Sequence, residues 1–269
     1  MIYFVTRKWF GFSREWAAPL ASGISICGVS AAIATGSAIR ARPQVPIMVA
    51  SLVVIFAVVE LLVLPFVANA FLTNEPMVAG AWMGLAVKTD GAAVASGAIT
   101  ESLILASAAA QGVNFQKGWI LGTTTTVKIF IDIFIGIWAF VLAWIWTRHI
   151  NVRPGEQARA GEIWDRFPKF IIGYIVTFAV ILALALGATP ELAGKVRAAM
   201  GEANTFRGIF FVMTFFSIGA LSNIRNLWAE GIGKLAAIYV VCLFGFIIWI
   251  GLAVSWIFFH GIRPPLATG

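Results

Sequence analysis

Long apolar runs separated by short polar stretches dominate this chain. A membrane-spanning helix needs about 20 mostly apolar residues, and the stretches that reach or approach this length are about 17–39, 45–72, 78–98, 99–113, 118–146, 169–188 and 207–259. The last stretch is long enough for two helices, with a break near Asn223 to Lys234. The pattern predicts an all-α, polytopic membrane protein with about six to eight transmembrane helices, organised as a single transmembrane domain over residues 1–269.

Composition agrees with a protein whose solvent is lipid. The chain is 60% hydrophobic and 12% charged, whereas soluble domains carry about 25% charged residues. Eleven Trp and 22 Phe residues suit membrane interfaces and lipid-facing surfaces. The net charge of +7 comes from Lys and Arg in the polar stretches. Positive charge in such stretches indicates first of all on which side of the membrane they lie. We therefore expect the lipid bilayer as a partner and no nucleic acid.

The longest hydrophilic segment, 147–168, carries Arg148, Arg153, Arg159 and Arg166. The positive-inside rule places this segment in the cytoplasm and the 189–206 segment on the outside. Arg7, Lys8 and Arg14 then fall on the unfavoured side if 17–39 spans the membrane. Either a preceding helix or a re-entrant first segment would resolve the conflict.

Ionisable residues inside the apolar runs are the first candidates for function, because inserting one at the centre of a transmembrane helix costs at least about 2.5–3.5 kcal/mol of free energy. They are Glu60, Lys88, Asp90, Glu101, Lys128 and Asp132. Lys128 and Asp132 are four residues apart and can pair on one helix face, whereas Lys88 and Asp90 would point apart on a regular helix. Lys88 and Lys128 are predicted to bind an anion, and the alternative is that these charges only tie helices together.

Hydroxyl and amide side chains supply further candidate ligands. Thr124 and Thr125 belong to a run of four threonines just before Lys128, and the alternative role for such hydroxyls is bonding to carbonyls one turn earlier. Ser222 and Asn223 end an apolar run where a helix could unwind and expose its backbone to an ion, or simply end. With Ser25, the predicted substrate-binding residues are Ser25, Lys88, Asp90, Thr124, Lys128, Ser222 and Asn223.

Patterns of catalytic or cofactor-binding residues are absent from the sequence. The two histidines, His149 and His260, have no second ligand type at useful spacing, and no phosphate-binding glycine loop with a lysine occurs. Cys27 and Cys242 lie far apart in apolar runs and are interpreted as small hydrophobes in helices. We expect no enzyme activity, no cofactor and no metal.

Four segments carry a family resemblance. They are GISICGVSAAIAT (23–35), GAWMGLAVKTDGAAVASGAI (80–99), TTVKIFIDIFIG (125–136) and FFSIGALSNIRNLWAEGIGKL (215–235). In this order they resemble the sulfate exporter family of YeiH-like bacterial membrane proteins. The resemblance implies half of an inverted-repeat secondary transporter with crossed, broken helices, of which 215–223 would be one.

The sequence departs from that family at several positions. Lys88 and Thr89 stand where the family usually has His-Glu, Ala92 replaces a Gln, and Ile131 replaces an Arg that follows the lysine matched by Lys128. The family's N-terminal helices, including its first broken helix, have no counterpart. The resemblance therefore implies that a homo-oligomer, a partner chain or upstream sequence supplies the missing helices.

These observations together predict a bacterial inner-membrane transporter that exports a small anion, such as sulfate or a sulfonate, by alternating access. Asp90 or Asp132 would take up a coupling proton. The alternative is a non-transporting membrane subunit that packs within a larger membrane complex.

Overall fold

The computed structural model describes residues 1–150, 164, 170–221 and 232–267, and these are nearly all helical. The helices are α1 (Ile2–Lys8), α2 (Arg14–Ser25), α3 (Gly28–Ala38), α4 (Gln44–Leu72), α5 (Pro76–Ala86), α6 (Asp90–Ala110), α7 (Trp119–Ile145), α8 (Phe170–Leu186), α9 (Pro190–Leu221), α10 (Ile232–Cys242) and α11 (Ile248–Phe259). A π-helical turn, Trp146–Ile150, extends α7, and another, Leu243–Ile247, joins α10 to α11. The predicted all-α class is confirmed.

Helices long and apolar enough to cross a membrane occur at four places in the described residues, Gln44–Leu72, Asp90–Ala110, Trp119–Ile150 and Ile232–Phe259. Two of them match the predicted runs 45–72 and 118–146 within a few residues. Large apolar side chains such as Leu62 on α4 and Phe130 on α7 are more than half exposed, which suits surfaces that face lipid rather than water. The chain is a polytopic membrane protein.

The first apolar run, 17–39, is interrupted instead of forming one span. α2 ends at Ser25 and α3 begins at Gly28, because Ile26 (φ −110°, ψ −98°) and Cys27 (φ −129°, ψ 96°) leave helical geometry. A continuous span and a re-entrant segment were both open for 17–39, and the interruption excludes one continuous helix. Small residues on either side of the break allow other backbone to approach it closely.

A second interruption separates α5 from α6. Val87 is extended, and the Thr89 hydroxyl accepts a bond from the amide of Ala92 (Oγ1–N 3.4 Å), which starts the new helix. The predicted boundary between 78–98 and 99–113 was therefore misplaced, since α6 continues through Glu101 to Ala110. The prediction of at least one discontinuous helix is confirmed.

α5 lies at the centre of the bundle and is almost wholly buried. A Cβ on Gly80 or Gly84 would lie 2.6 Å from the carbonyl oxygen of Ile120 or Thr124, so α5 and α7 touch along their backbones. On the opposite side, the Trp82 indole donates to the carbonyl of Ile248 (Nε1–O 2.9 Å) and joins α5 to α11. Small residues at spacing four let transmembrane helices pack this closely.

Other predictions concern the second half of the chain. The segment 189–206, expected as an external connection, is helical from Pro190 onwards as part of α9. The predicted break near Asn223 to Lys234 falls mostly on 222–231, and most of the predicted cytoplasmic segment 147–168 also lies outside the described residues. The cytoplasmic location of that segment stays a prediction.

Candidate functional site

The two helix interruptions meet each other inside the bundle. A Cβ on Gly28, the first residue of α3, would lie 2.9 Å from the carbonyl oxygen of Lys88 and would overlap the Val53 side chain. Only a residue without a side chain permits this approach. The described residues thus contain a pair of interrupted helices in contact, whereas the family resemblance gave the family's first broken helix no counterpart in this sequence.

Two charged side chains, Asp90 of α6 and Lys128 of α7, and the Cys27 thiol converge on this contact. The Cys27 thiol donates to Asp90 (Sγ–Oδ1 3.0 Å), and the Lys128 ammonium lies 3.9 Å from the same carboxylate oxygen. Lys128 also donates to the carbonyl of Val87 (Nζ–O 3.2 Å), next to the end of α5. Lys128 therefore links the C-terminal end of α5 to Asp90 in the first turn of α6.

Lys128 lies well inside the apolar helix α7. It follows Trp119, the first residue of α7, by nine positions, or about 14 Å of helix. A bilayer's hydrocarbon core is about 30 Å thick. With 2% of its surface exposed, Lys128 is a buried cation that the surrounding groups must compensate.

Lys88 forms the inner part of the site. Its ammonium donates to the carbonyl of Leu85 (Nζ–O 2.6 Å), and its backbone amide donates to Glu60 (N–Oε2 2.9 Å). Both side chains are almost completely buried. The C-terminal end of a helix carries about half a negative charge, so Lys88 and Lys128 both stabilise the C-terminal end of α5.

Some polar atoms at the inner site have no hydrogen-bond partner within the described part of the chain. These atoms are the second carboxylate oxygen of Glu60 and the hydroxyl of Tyr239, both fully buried. An unsatisfied buried group costs about 1–3 kcal/mol. Glu60 was named from sequence only as one ionisable residue among several, and the structure gives it a central position.

Asp132 belongs to the outer part of the site with Asp90. The predicted pairing of Lys128 with Asp132 is not the one that forms, since the described ion pair of Lys128 is with Asp90. Asp132 instead lies beside Asp90 and Cys27, and its Oδ1 has no described partner. Asp90 and Asp132 are partly exposed, whereas Lys88 and Glu60 are not.

The Cys27, Asp90 and Asp132 side chains are the described group best placed to hold a metal. Their ligand atoms all lie within 4.8 Å of one another. A metal would require the thiolate, whereas Cys27 donates its proton to Asp90, and the adjacent Lys128 ammonium repels a cation. The protonated thiol and the adjacent ammonium therefore disfavour a metal at this position. The interpretation of Cys27 as a small hydrophobe missed this contact.

The threonines before Lys128 bond to the backbone. The Thr124 hydroxyl is shared between the carbonyls of Gly80 (Oγ1–O 2.7 Å) and Ile120 (3.1 Å), and that of Thr125 donates to Gly122 (2.9 Å). A hydroxyl has one proton, so these bonds compete with donation to an anion. The contacts match the alternative role considered for these residues.

The remaining predicted residues lie apart or cannot be placed. Ser25 is exposed at the last position of α2, beside the break. Glu101 accepts bonds from the amides of Gly118, Ile120 and Leu121 (2.9, 3.1 and 3.1 Å to Oε2) and caps α7. Ser222 and Asn223 lie outside the described residues.

Comparison with known sequences identifies the family. Residues 1–238 match the family described as conserved hypothetical protein 698. The chain belongs to this family. A UPF0324 membrane protein of Nitrosomonas europaea is 45% identical over 269 residues, which are 99% of this chain and 55% of that protein. A UPF0324 membrane protein of Rhodopirellula baltica is 31% identical over 251 residues, 90% of this chain and 42% of that protein.

An uncharacterized protein of Archaeoglobus fulgidus is 49% identical over 166 residues, 55% of this chain and 89% of that protein. No solved structure matches. The chain spans about half the length of the Nitrosomonas relative and less than half of the Rhodopirellula one. The names of these relatives state a membrane protein at most and give no substrate, so sulfate export stays a proposal.

Proposed function

We propose that this protein takes part in secondary transport of a small anion, such as sulfate or a sulfonate, across the bacterial inner membrane. The observation that carries the proposal is the placement of two buried lysines, Lys88 and Lys128, where two broken helices meet. Interrupted helices near the membrane centre are the usual ion and substrate sites of secondary transporters. Ionisable residues at this depth mark ion pathways more often than they stabilise the fold.

Each lysine has protons left to donate to a substrate. An ammonium has three protons, and the described contacts of Lys88 and Lys128 use one carbonyl each. An oxoanion could therefore accept from both lysines while they keep their contacts with α5. Ser25, at the exposed side of the break, is placed to meet the anion on entry.

Coupling to protons is proposed for the outer carboxylates. Asp90 and Asp132 share the neighbourhood of one lysine and one thiol. Two carboxylates this close repel each other when both are ionised, so a shared proton is favoured. Release of that proton would leave a second negative charge beside Lys128 and weaken its hold on an anion.

The test is anion flux in proteoliposomes that contain the purified protein. Radiolabelled sulfate and methanesulfonate serve as probes, and an inward or outward proton gradient serves as the driving force. Lys88→Gln and Lys128→Gln should each abolish the protein-dependent flux, while Lys195→Gln, which alters an exposed pair with Glu191, should leave it intact. Unchanged flux in both site variants would refute the assignment.

A second candidate function is a non-transporting membrane subunit in a larger complex. The observation in its favour is that α8 and α9 expose large apolar side chains, among them Val180 and Val212. A homo-oligomer or a partner chain would then cover part of the exposed apolar surface. Stoichiometric co-purification of another chain, with no flux by the isolated protein and flux by the complex, would favour this function.

A further inference from the structure

A cleft of about 530 Å³ opens on the side of the bundle, away from the helix breaks. It lies where the N-terminal ends of α5 and α7 meet the C-terminal end of α11, at Met77, Trp119 and Phe259 respectively. This volume is within the range of about 300–1,000 Å³ that is typical of small-molecule sites. We call it the α7 cleft.

The rim of the α7 cleft carries one exposed cation, Lys117, and one carboxylate, Glu101, which caps the N-terminus of α7. Lys117 is exposed and forms no ion pair with any of the residues described here. The nearby Glu101 carboxylate is already occupied by three backbone amides of the α7 N-terminus. Trp119, which is 47% exposed, is of the residue type that prefers the membrane–water interface. The rim therefore lies at headgroup level with a cation available.

The wall of the cleft runs from the interface towards the membrane centre. The helical part of this wall, from Trp119 to Val127, rises over eight residues, or about 12 Å, within a hydrocarbon core of about 30 Å. Below the rim the lining includes Met77, Val127 and Phe259. A Cβ on Gly122 would meet nothing within 4 Å, so the floor is open. The cleft has the polarity that suits an acyl chain.

We propose that the α7 cleft binds one phospholipid with an anionic headgroup. The headgroup phosphate pairs with Lys117 at the rim, and one acyl chain lies along α7 past Gly122. The proposal is independent of anion transport, because it uses none of the residues at the helix breaks.

Native mass spectrometry of the detergent-solubilised full chain tests this site. The protein is incubated with phosphatidylglycerol or with phosphatidylcholine of the same acyl chains. The fraction of protein that retains one bound lipid is then measured for each lipid. A lysine near an anionic headgroup contributes about 1 kcal/mol, so the wild type should retain phosphatidylglycerol about fivefold better than phosphatidylcholine. Lys117→Gln should remove this preference, whereas Lys8→Gln, an exposed lysine on α1, should keep it.

A second variant tests the acyl-chain part of the cleft. Gly122→Leu fills the floor and should reduce retention of both lipids, while Gly173→Leu, placed in open space on α8, should not. Equal retention of both lipids by the wild type, or wild-type retention by Lys117→Gln, would overturn the proposal. Displacement of phosphatidylglycerol by millimolar inorganic phosphate would also overturn it and indicate a free-anion site. Lys117 is exposed, so its variant decides the outcome even if Gly122→Leu does not fold.

Discussion

The backbone amide of Lys88 donates to the carboxylate of Glu60 across 2.9 Å (N–Oε2), so a fully buried acid holds the break between α5 and α6 in place. Glu60→Leu removes both the acceptor for this amide and the negative charge near the Lys88 ammonium. A buried donor left without its acceptor costs about 1–3 kcal/mol, and we expect a loss of this size in the free energy of unfolding. Glu60→Gln should lose less, because it keeps an acceptor.

Unfolding in mixed micelles of detergent and sodium dodecyl sulfate measures this effect. Glu191→Gln is the matched control, because it removes an acid from an exposed pair with Lys195 and should change stability by less than about 1 kcal/mol. Equal stability of Glu60→Leu and wild type would show that the buried acid does not hold the break.

The contact between the two helix breaks depends on Gly28. Gly28→Ala places a methyl group 2.9 Å from the Lys88 carbonyl oxygen and against Val53. Overpacking of this kind costs about 1–3 kcal/mol, and anion flux should fall with it because the half-helices move apart. Gly245→Ala, where the added methyl meets nothing within 4 Å, is the control and should leave stability and flux near wild type.

Thr124 should affect stability more than substrate affinity. Its hydroxyl bonds to the carbonyls of Gly80 and Ile120, so Thr124→Val removes the link between α5 and α7. The expected loss is about 1 kcal/mol of unfolding free energy, with the KM for sulfate flux within about twofold of wild type, which corresponds to less than about 0.5 kcal/mol. A large rise in KM without loss of stability would instead restore Thr124 as a substrate ligand.

Glu15 and Arg42 form a pH-dependent link between the start of α2 and the segment after α3. Burial raises the pKa of the Glu15 carboxyl, and the hydrogen bonds and charge of Arg42 lower it by more, so the pKa lies below its usual 4.5. A carboxyl group whose pKa is lower in the folded state than in the unfolded state stabilises the fold at pH values above its unfolded-state pKa. This stabilisation is lost as the pH falls through its folded-state pKa.

The partly exposed Glu15–Arg42 pair is worth about 0.2–1 kcal/mol. Wild type should therefore unfold at a higher temperature than Glu15→Gln at pH 7, and the difference should vanish on acidification below pH 4.5. A difference that stays constant across this range would show that the carboxylate's charge is not responsible.

The sequence predicts the regular helices of this fold well. The runs 45–72 and 118–146 correspond to Gln44–Leu72 and Trp119–Ile145, since uninterrupted apolar residues between polar turns leave the backbone little choice in lipid. A discontinuous helix was predicted, but the positions of the two breaks were not. Cys27 and Val87 leave helical geometry where another backbone approaches, and such tertiary contacts leave no local signal in an apolar run.

The same limit applies to the candidate site. Lys88, Lys128 and Asp90 could be selected because charges inside apolar runs are costly. The pairing of Lys128 with Asp90, 38 positions apart, could not be predicted from helix periodicity, which favoured Asp132 instead. Glu60 and Cys27 acquire their contacts only when α4 and the α2–α3 break pack against the α5–α6 break.

The most direct test of the central claim, that the helix breaks bind the transported anion, is the labelling rate of a Ser25→Cys variant in proteoliposomes. Ser25 is exposed beside the break, while Cys27 and Cys242 are buried, so a membrane-impermeant maleimide should modify the new thiol over a low background. Sulfate or methanesulfonate at ten times its Kd should slow this labelling about tenfold. Ser37→Cys, exposed at the other end of α3, should react at an unchanged rate. Equal labelling of Ser25→Cys with and without both anions, in protein that still carries out flux, would contradict the claim.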